Sequence, residues 1–222
     1  MSRDYPTVVI YGTGEYAKAV FEILSLREVP VVGFLDPDPT RRNTTFLSRP
    51  ILGSEVALLS GAITFHAAVI AIETSEPRAR IAEMFRTTGV PLFSAIHPHA
   101  VISPSAQLQS GVVVFPGVVV APDAIIEEGV VLHAGVLIET GAHIGSFCTL
   151  APAVVIGPNA HIDTHTFIGV RATILENCSV GNHSMIGAHS LVRDNLPDHI
   201  LAYGTPALVV DSWPERGKLQ SS

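Results

Sequence analysis

The chain has little of several residue types, and each shortage excludes a class of protein. Only 2 of its 222 residues are cysteine, which rules out a disulfide-held scaffold and suits a reducing compartment. Lysine and arginine number 13 against 20 acidic residues, so the formal net charge is -7. An acidic chain with few clusters of basic residues is poorly suited to nucleic acid or anionic membranes. We therefore expect neither partner.

Long hydrophobic runs are also missing. The most apolar stretch, residues 111–122, is interrupted by Pro116 and Gly117 and is shorter than the roughly 20 apolar residues of a membrane-spanning helix. The beginning, MSRDYPTVVIYGTG, lacks the basic segment and following apolar segment of a signal peptide, so we expect a cytoplasmic protein. Hydrophobic residues still make up 47% of the chain, enough for the core of one large domain or two small ones.

The second half of the sequence carries a six-residue repeat. From Ile102 every sixth residue is Ile, Leu or Val, for sixteen consecutive positions ending at Val192. Six residues match neither the 3.6 period of a helix nor the period of 2 of a strand. They suit a short strand plus a corner, which predicts a parallel β-helix with about eighteen residues per coil and rungs about 4.8 Å apart. Cys148 and Cys178 fall on the small inward positions of this repeat, so we expect core packing for both.

The first 95 residues follow a different pattern, in which strand-like and helix-like segments alternate. The expected order is strand 7–11, helix 15–27, strand 30–35, strand 67–72 and helix 77–88. This alternation predicts a small parallel α/β domain over residues 1–95. We expect the β-helix domain over residues 96–210, with its end capped by residues 197–210, and a flexible tail over residues 211–222.

These features together resemble the sialic acid O-acetyltransferase family, which includes the bacillosamine N-acetyltransferase of bacterial N-glycosylation. Four segments occur in the same order as in the family over residues 7–210. They are the Gly-rich α/β domain, the connecting stretch IHPHAVISPSA, the six-residue repeat (the hexad ladder) and the closing AYGTPALVV. The resemblance implies an α/β N-terminal Rossmann-like domain followed by a left-handed parallel β-helix of hexapeptide repeats. It also implies a homotrimer that uses acetyl-CoA or another acyl-CoA to acylate an amine or hydroxyl of a sugar, often a nucleotide-linked one. Outward apolar residues of the flat β-faces, such as Val113, Val119 and Val155, would also need the cover that a trimer gives.

A nucleotide site is expected where the first two strands of the α/β domain end. Gly12 and Gly14 stand at a strand-to-helix turn, where free amides and the helix dipole attract phosphate. Asp36 ends the next strand, a place where a carboxylate can accept ribose hydroxyls. The spacing Gly12-x-Gly14-x-x-Ala17 is a weak Rossmann fingerprint, so a dinucleotide is an open alternative.

Four further positions bear on this site through the resemblance. Tyr16 stands where the family has a histidine, and Arg78 matches a family arginine, so both are assigned to the nucleotide or substrate site. A solvated helix charge is the alternative interpretation of Arg78. Glu15 replaces a family glycine and would place a negative charge near a diphosphate unless its side chain turns away. Glu73 replaces a second family glycine, at a strand end.

The catalytic motif is where this sequence departs most from the family. Acyl transfer from a thioester needs a base for the attacking amine or hydroxyl and hydrogen-bond donors for the oxyanion. The family histidine corresponds to Thr140 in the stretch Ile138-Glu139-Thr140-Gly141, and its carboxylate partner corresponds to Gly141. A second family histidine corresponds to Thr149. Glu139 and Thr140 are kept as candidate catalytic positions, although threonine is not a base near neutral pH.

Three explanations for the missing histidine stay open. His133 matches a polar position that lines the family's active site, and it is the leading candidate for the base. Alternatively, the acceptor amine arrives with a lowered pKa or with an internal base. Finally, the chain has lost catalysis and is a trimeric ligand-binding or structural protein.

Other histidines recur at the spacing of one coil. His143 and His161 are eighteen residues apart, as are His165 and His183, so each pair is expected on adjacent rungs about 5 Å apart. Stacked imidazoles can bind a metal, but outward polar residues are the commoner case, and we expect no metal. His199 is expected outside the ladder.

The acyl-CoA groove is assigned from two stretches that match the family. FIG-x-x-A appears with Gly169, and IGA-x-S-x-V appears with Gly187 and Ala188. The resemblance assigns these residues and Thr149 to acyl-CoA, whereas tight corners alone would also explain the glycines. The expected donor is acyl-CoA, with an acyl carrier protein as an open alternative. The expected acceptor is a sugar, foremost a nucleotide-linked amino sugar.

Overall fold

The computed structural model describes residues 5–54 and 64–213. Over these ranges the chain divides into two compact units. The first unit contains the residues up to Pro98 together with Ser110–Val113, and the second contains His99–Gln109 and the residues from Val114 onwards. Neither α-helix of the described ranges has both the length and the apolar character needed to cross a bilayer.

A five-stranded sheet forms the centre of the first unit. Its strands are β1 Val8–Tyr11, β2 Val31–Leu35, β3 Thr45–Phe46, β4 Arg49–Gly53 and β5 Ala67–Ile70. They lie in the order β3-β4-β2-β1-β5, all parallel except β3, which pairs antiparallel with β4. Every residue of β1 is buried, as is usual for a central strand of a parallel sheet, which is covered on both faces.

The described helices of this unit each follow one of its strands. Helix α1 (Glu15–Leu26) follows β1, the 3₁₀ helix Pro39–Arg41 follows β2, and α2 (Ser75–Thr87) follows β5. The chain leaves β1 for β2 on one side, whereas β5 lies on the other side of β1. Ligands of open α/β sheets bind outside the carboxyl ends of the strands at such a switch point. The predicted α/β domain is therefore confirmed, with helix and strand ends within two residues of expectation, but the β3–β4 hairpin was not expected.

The second unit is the predicted left-handed parallel β-helix, made of two-residue strands on three faces. Face 1 consists of Val101–Ile102, Val119–Val120, Leu137–Ile138, Val155–Ile156, Thr173–Ile174 and Leu191–Val192. Face 2 consists of Gln107–Leu108, Ile125–Ile126, His143–Ile144, His161–Ile162 and Ser179–Val180. Face 3 runs through Val113–Val114, Val131–Leu132, Thr149–Leu150, Phe167–Ile168 and Met185–Ile186 to the longer strands Ile200–Gly204 and Ala207–Ser212. The short strand Ala95–Ile96 lies in the first unit, where the N–H of Ala95 donates to the carbonyl of Val112.

The hexad ladder fills the interior of the β-helix. Strands on one face pair at a spacing of eighteen residues, for example Val120 with Ile138 on face 1. From Val114 to Val192 every sixth residue is at most 1% exposed. Full burial of one aliphatic side chain of this size contributes about 1.5–3 kcal/mol, so this ladder is the main source of the unit's stability. Cys148 is also buried in this interior, as expected.

The corners of the coils use the left-handed backbone region. Gly135 has φ +71°, and Ala153, which occupies the same place one coil later, has φ +58°. Left-handed backbone costs a non-glycine residue about 1–2 kcal/mol. Because alanine accepts this conformation at Ala153, the stacking of coils imposes the corner and glycine is not required at every one.

The end of the β-helix is covered by a hairpin. Strands Ile200–Gly204 and Ala207–Ser212 pair antiparallel, and the first of them pairs with Met185–Ile186. The N–H of Trp213, the only tryptophan, donates to the carbonyl of His199 at 2.7 Å. Val113, which was expected to be an outward apolar residue in need of cover, is fully buried. Residues 110–113 belong to the first unit.

Candidate functional site

The two glycines of the predicted phosphate loop have different roles. Gly12 has φ +114°, and a Cβ on it would lie 2.7 Å from the carbonyl oxygen of Ala71, so this turn accepts only glycine. Gly14 is the N-cap of α1, with φ -83° and open space where a Cβ would be. The amides at the start of α1 therefore lie beside an open position at the carboxyl end of β1, a geometry suited to an anionic group.

Asp36 follows β2 at the same edge of the sheet and is only 8% exposed. One carboxylate oxygen accepts hydrogen bonds from the Thr13 hydroxyl and from Arg41, whose Nη1 lies 3.3 Å away. The other oxygen accepts the backbone N–H of Asp38 at 2.8 Å. Arg41 also donates to the Thr13 hydroxyl, and its guanidinium lies 5.9 Å from the ring centre of Phe46. Asp36 was expected from the sequence, whereas Thr13, Arg41 and Phe46 were not.

The remaining predicted residues of this unit are more enclosed than expected. Arg78 is 1% exposed, and its Nη1 donates to the carbonyls of Ile72 and Glu73, so the alternative of a solvated helix charge is wrong. Burial raises the pKa of Tyr16 despite the opposing charge of Arg78, so its phenol stays neutral.

Glu15 turns away and pairs with Lys18 at 2.7 Å in solvent, which removes the expected conflict with a diphosphate.

His133 lies at the corner between face 3 and face 1. Its ring stacks on Phe115 of the preceding coil, with centroids 5.0 Å apart and an interplanar angle of 16°. The eighteen-residue register places Gly169 and Gly187 on the same edge, two and three coils later. Ala188 follows Gly187 there and is exposed. The predicted base and three of the predicted acyl-CoA residues therefore share one edge of the β-helix.

Glu139 and Thr140 lie at a different corner, between face 1 and face 2. Thr140 is exposed, and its carbonyl accepts the N–H of Asn159 from the next coil at 3.0 Å. Thr149, on face 3, is only 3% exposed. Within one chain, Thr140 and His133 are thus on separate edges of the same coil.

A carboxylate–imidazole pair that was not expected from the sequence lies on face 2. Nε2 of His143 is 2.8 Å from Oε1 of Glu127 in the preceding coil. The other oxygen of Glu127 accepts the backbone N–H of Ser146 at 2.9 Å and its hydroxyl at 2.7 Å. Burial alone would raise the pKa of Glu127, but these hydrogen bonds outweigh it and hold the pKa below its usual value. His161 lies edge-on to His143, with centroids 4.7 Å apart, on the adjacent rung as expected.

A continuous stack of rings occupies the corner between face 2 and face 3. His165 and His183 are nearly parallel, with centroids 4.6 Å apart, as their spacing predicts. Phe147 stacks below His165 at 5.5 Å, and His199 stacks above His183 at 5.3 Å. His199 follows the last hexad, as expected, yet it joins this stack because the chain returns to the corner after sixteen residues instead of eighteen.

Comparisons with known proteins extend over both units. Residues 7–85 match the family PglD N-terminal domain. The crystal structure of PerB from Caulobacter crescentus in complex with CoA and GDP-perosamine is 31% identical and has a TM-score of 0.85. That similarity covers 92% of this chain and 97% of PerB. A comparison with curated proteins found no significant match.

Two further structures support the same relationship. A His-to-Ala mutant of GDP-perosamine N-acetyl transferase from Caulobacter crescentus, also with CoA and GDP-perosamine, is 32% identical with a TM-score of 0.86, covering 93% of this chain and 97% of the mutant enzyme. The acetyltransferase domain of PglB from Neisseria gonorrhoeae is 23% identical with a TM-score of 0.84, covering 92% and 99%. The PglB domain supports the fold alone.

Proposed function

The chain belongs to the hexapeptide-repeat sugar acyltransferase family, and on that premise we propose that it transfers an acyl group from acyl-CoA to a nucleotide-linked amino sugar. The observation that carries this proposal is the similarity to PerB, at 31% identity over 92% of the chain, in a structure that holds both CoA and GDP-perosamine. The expected family assignment is confirmed. The acceptor, the acyl group and the oligomeric state belong to the proposal.

In the proposed reaction the amine nitrogen of the sugar attacks the thioester carbonyl carbon of acyl-CoA. A carbon–nitrogen bond forms, the carbon–sulfur bond breaks, and the products are an amide and the CoA thiol. A base must take the proton that the nitrogen loses, and the thiolate of CoA must gain one. Backbone N–H groups at the open corners of the coils are suitable donors to the oxyanion.

The proposed binding residues follow the two units. In the first, the carboxyl edge of the sheet holds the nucleotide: the Gly12–Gly14 loop faces phosphate and Asp36 faces a hydroxyl-bearing group, with Arg41 available for negative charge. The buried side chains of Tyr16 and Arg78 pack beneath this edge and support it. This assignment is supported by the switch point at β1, where ligands of open α/β sheets bind.

In the second unit, the edge that carries Gly169, Gly187 and Ala188 is proposed to accept acyl-CoA. Small residues along an edge let an extended pantetheine arm approach the backbone closely. Thr149, which is buried, contributes to the shape of face 3 next to this edge. His133 stays the sequence-based prediction of the base, and Glu139 and Thr140 stay predictions for the family's catalytic corner.

A homotrimer in the cytoplasm completes the proposal. Apolar side chains of the terminal hairpin support an assembly, since Leu208 is 65% exposed and Tyr203, Val209 and Val210 are also exposed. A cytoplasmic enzyme would have access to acyl-CoA and nucleotide sugars.

The second candidate function is a trimeric ligand-binding protein that has lost catalysis. The replacement of the family's histidine and carboxylate by Thr140 and Gly141 favours it. It predicts binding of CoA or nucleotide without thiol release. It also predicts that the double variant Thr140→His, Gly141→Glu gains activity.

A binding titration followed by an acceptor screen separates the two functions. The purified chain is titrated with CoA and acetyl-CoA by calorimetry, and thiol release is then followed with GDP-perosamine and with other nucleotide amino sugars. The enzyme proposal predicts micromolar binding and thiol release that depends on the acceptor. Binding with no acceptor-dependent release would support the non-catalytic function, and no binding of CoA would contradict acyl-CoA as the donor.

A further inference from the structure

The His143–Glu127 pair has the geometry of a base held by a carboxylate. His143 lies on face 2 and follows Thr140 by three residues in the chain. Its side chain is 33% exposed and that of Glu127 is 27% exposed, so both are partly shielded yet reachable from solvent. Their 2.8 Å contact joins two successive coils.

The chemistry of the contact fixes which nitrogen of the ring is basic. Glu127 is held as a carboxylate by its hydrogen bonds from Ser146 and is therefore an acceptor only. The ring nitrogen that faces it, Nε2, must carry the proton and donate. In the neutral imidazole the lone pair is then on Nδ1. Among the described residues, no hydrogen-bond partner lies at Nδ1, so this nitrogen is available to a substrate.

We infer that His143, oriented by Glu127, is the general base of the acyl transfer. The inference rests on the proposed function. The resemblance places the family's histidine and its carboxylate at consecutive positions, now Thr140 and Gly141. Here the imidazole of His143 and the carboxylate of Glu127 come from adjacent coils. His143 begins the face 2 strand that follows the corner with Thr140. Glu127 is a positioning residue, because it acts through His143.

The proton balance of the step is complete with these groups. As the amine nitrogen bonds to the thioester carbon, Nδ1 of His143 takes the proton that the nitrogen loses. The imidazolium formed is stabilised by the carboxylate of Glu127. When the carbon–sulfur bond breaks, Nδ1 returns the proton to the CoA thiolate, and the neutral ring is restored. No metal or redox partner is needed for this balance.

The other histidine clusters fit this role less well. His165, His183 and His199 are packed face to face in one stack, which covers their ring faces. His133 packs its ring on Phe115. The contact of His143 with Glu127 fixes a tautomer and leaves one nitrogen open, which is the arrangement that base catalysis requires.

The first test uses two variants of the full chain and one variant of a matched neighbour. His143→Gln can still donate a hydrogen bond to Glu127 but cannot accept a proton, so its melting temperature should stay near that of the wild type. Its kcat should fall by about 10²–10⁴-fold, the usual contribution of a general base, with KM for acyl-CoA changed little. Glu127→Gln should lower kcat by about tenfold or more, since the tautomer is no longer enforced. His161→Ala, on the next rung of the same face, should retain wild-type kcat.

Chemical rescue separates a catalytic role from a structural one. Added imidazole should restore at least part of the activity of His143→Ala, because it can occupy the vacated space and accept the proton. It should restore nothing in His133→Ala. Turnover of His143→Gln within threefold of the wild type overturns the inference. The inference also fails if His143→Ala loses activity that imidazole does not restore and its melting temperature is lowered. If the wild type releases no thiol with any acceptor, the proposed function fails and the inference fails with it. If the wild type turns over and His143→Gln is equally active, only the inference is overturned.

Discussion

Replacing Gly169 by alanine probes how closely the coils stack at the proposed acyl-CoA edge. A Cβ at this position would lie 2.6 Å from the backbone nitrogen of Ala188 and 2.7 Å from the carbonyl oxygen of Ile186. Ordinary contacts of a Cβ begin at 3.4 Å, so the next coil would have to move by about 0.8 Å. That coil is held by the ladder, in which the N–H of Gly169 donates to Ile186 at 2.8 Å.

The expected cost is that of overpacking against backbone. Overpacking typically costs 1–3 kcal/mol, and we expect about 2–3 kcal/mol in the free energy of unfolding, because no flexible side chain can yield. In a chain of this size, a loss of that magnitude lowers the melting temperature by about 5–10 °C. Binding of CoA should weaken as well if the distorted edge is the groove.

The assay is unfolding in urea followed by the fluorescence of Trp213, which lies in the β-helix unit and is the only tryptophan. The matched control is Gly135→Ala on the same unit. Gly135 has φ +71°, but the nearest atom to its Cβ would be the Cα of Ala153 at 4.0 Å, so only the left-handed backbone is penalised, by about 1 kcal/mol. If Gly169→Ala is no more destabilising than Gly135→Ala, the reasoning from coil stacking is refuted.

Three further predictions concern single sites. Gly12→Ala should lower the melting temperature, because Gly12 has a positive φ and a Cβ on it would lie 2.7 Å from a carbonyl oxygen. Gly14→Ala should lower it much less, since it loses only a favoured N-cap residue; equal melting temperatures would contradict this. Burial alone would raise the pKa of Glu127, but its hydrogen bonds outweigh burial and the net pKa is lowered from the ordinary value of 4.5. The ionised carboxylate therefore stabilises the fold above pH 4.5, and this stabilisation is lost as the pH falls through the folded pKa. The difference in unfolding free energy between wild type and Glu127→Gln should therefore shrink below pH 4.5, and growth of that difference would count against the assignment. Burial and nearby acidic groups raise the pKa of Cys178, and Cys148 is fully buried, so a thiol reagent should label both only in denaturant; rapid labelling of the folded protein would contradict this.

The β-helix could be predicted from the sequence because each coil repeats the same inward positions at a fixed spacing along the chain. Every sixth residue from Val114 to Val192 is an aliphatic residue buried in the same interior, so the period of six survives in the sequence. The α/β unit followed from alternating apolar segments, but the hairpin of β3 and β4 did not. Its strands have only two and five residues, and their exposed positions carry no regular alternation.

The candidate site was predictable only in part, for a geometrical reason. Asp36 could be found because strand ends meet at one edge of a parallel sheet. The burial of Arg78 could not, since its partners are backbone carbonyls that no sequence pattern marks. His143 and Glu127 are sixteen residues apart, two short of a coil, which is the spacing of diagonal neighbours on successive rungs. A search of the sequence at sixteen as well as eighteen residues would have paired them.

The most direct measurement is the mass of the acceptor and the amount of free CoA after incubation of the purified chain with acetyl-CoA and GDP-perosamine or another nucleotide amino sugar. A sugar acyltransferase predicts one acetyl group gained per acceptor molecule and one equivalent of CoA released, both lost when the acceptor is omitted. An unchanged acceptor mass across the whole panel, with CoA bound by the protein, would contradict acyl transfer and leave a ligand-binding member of the family.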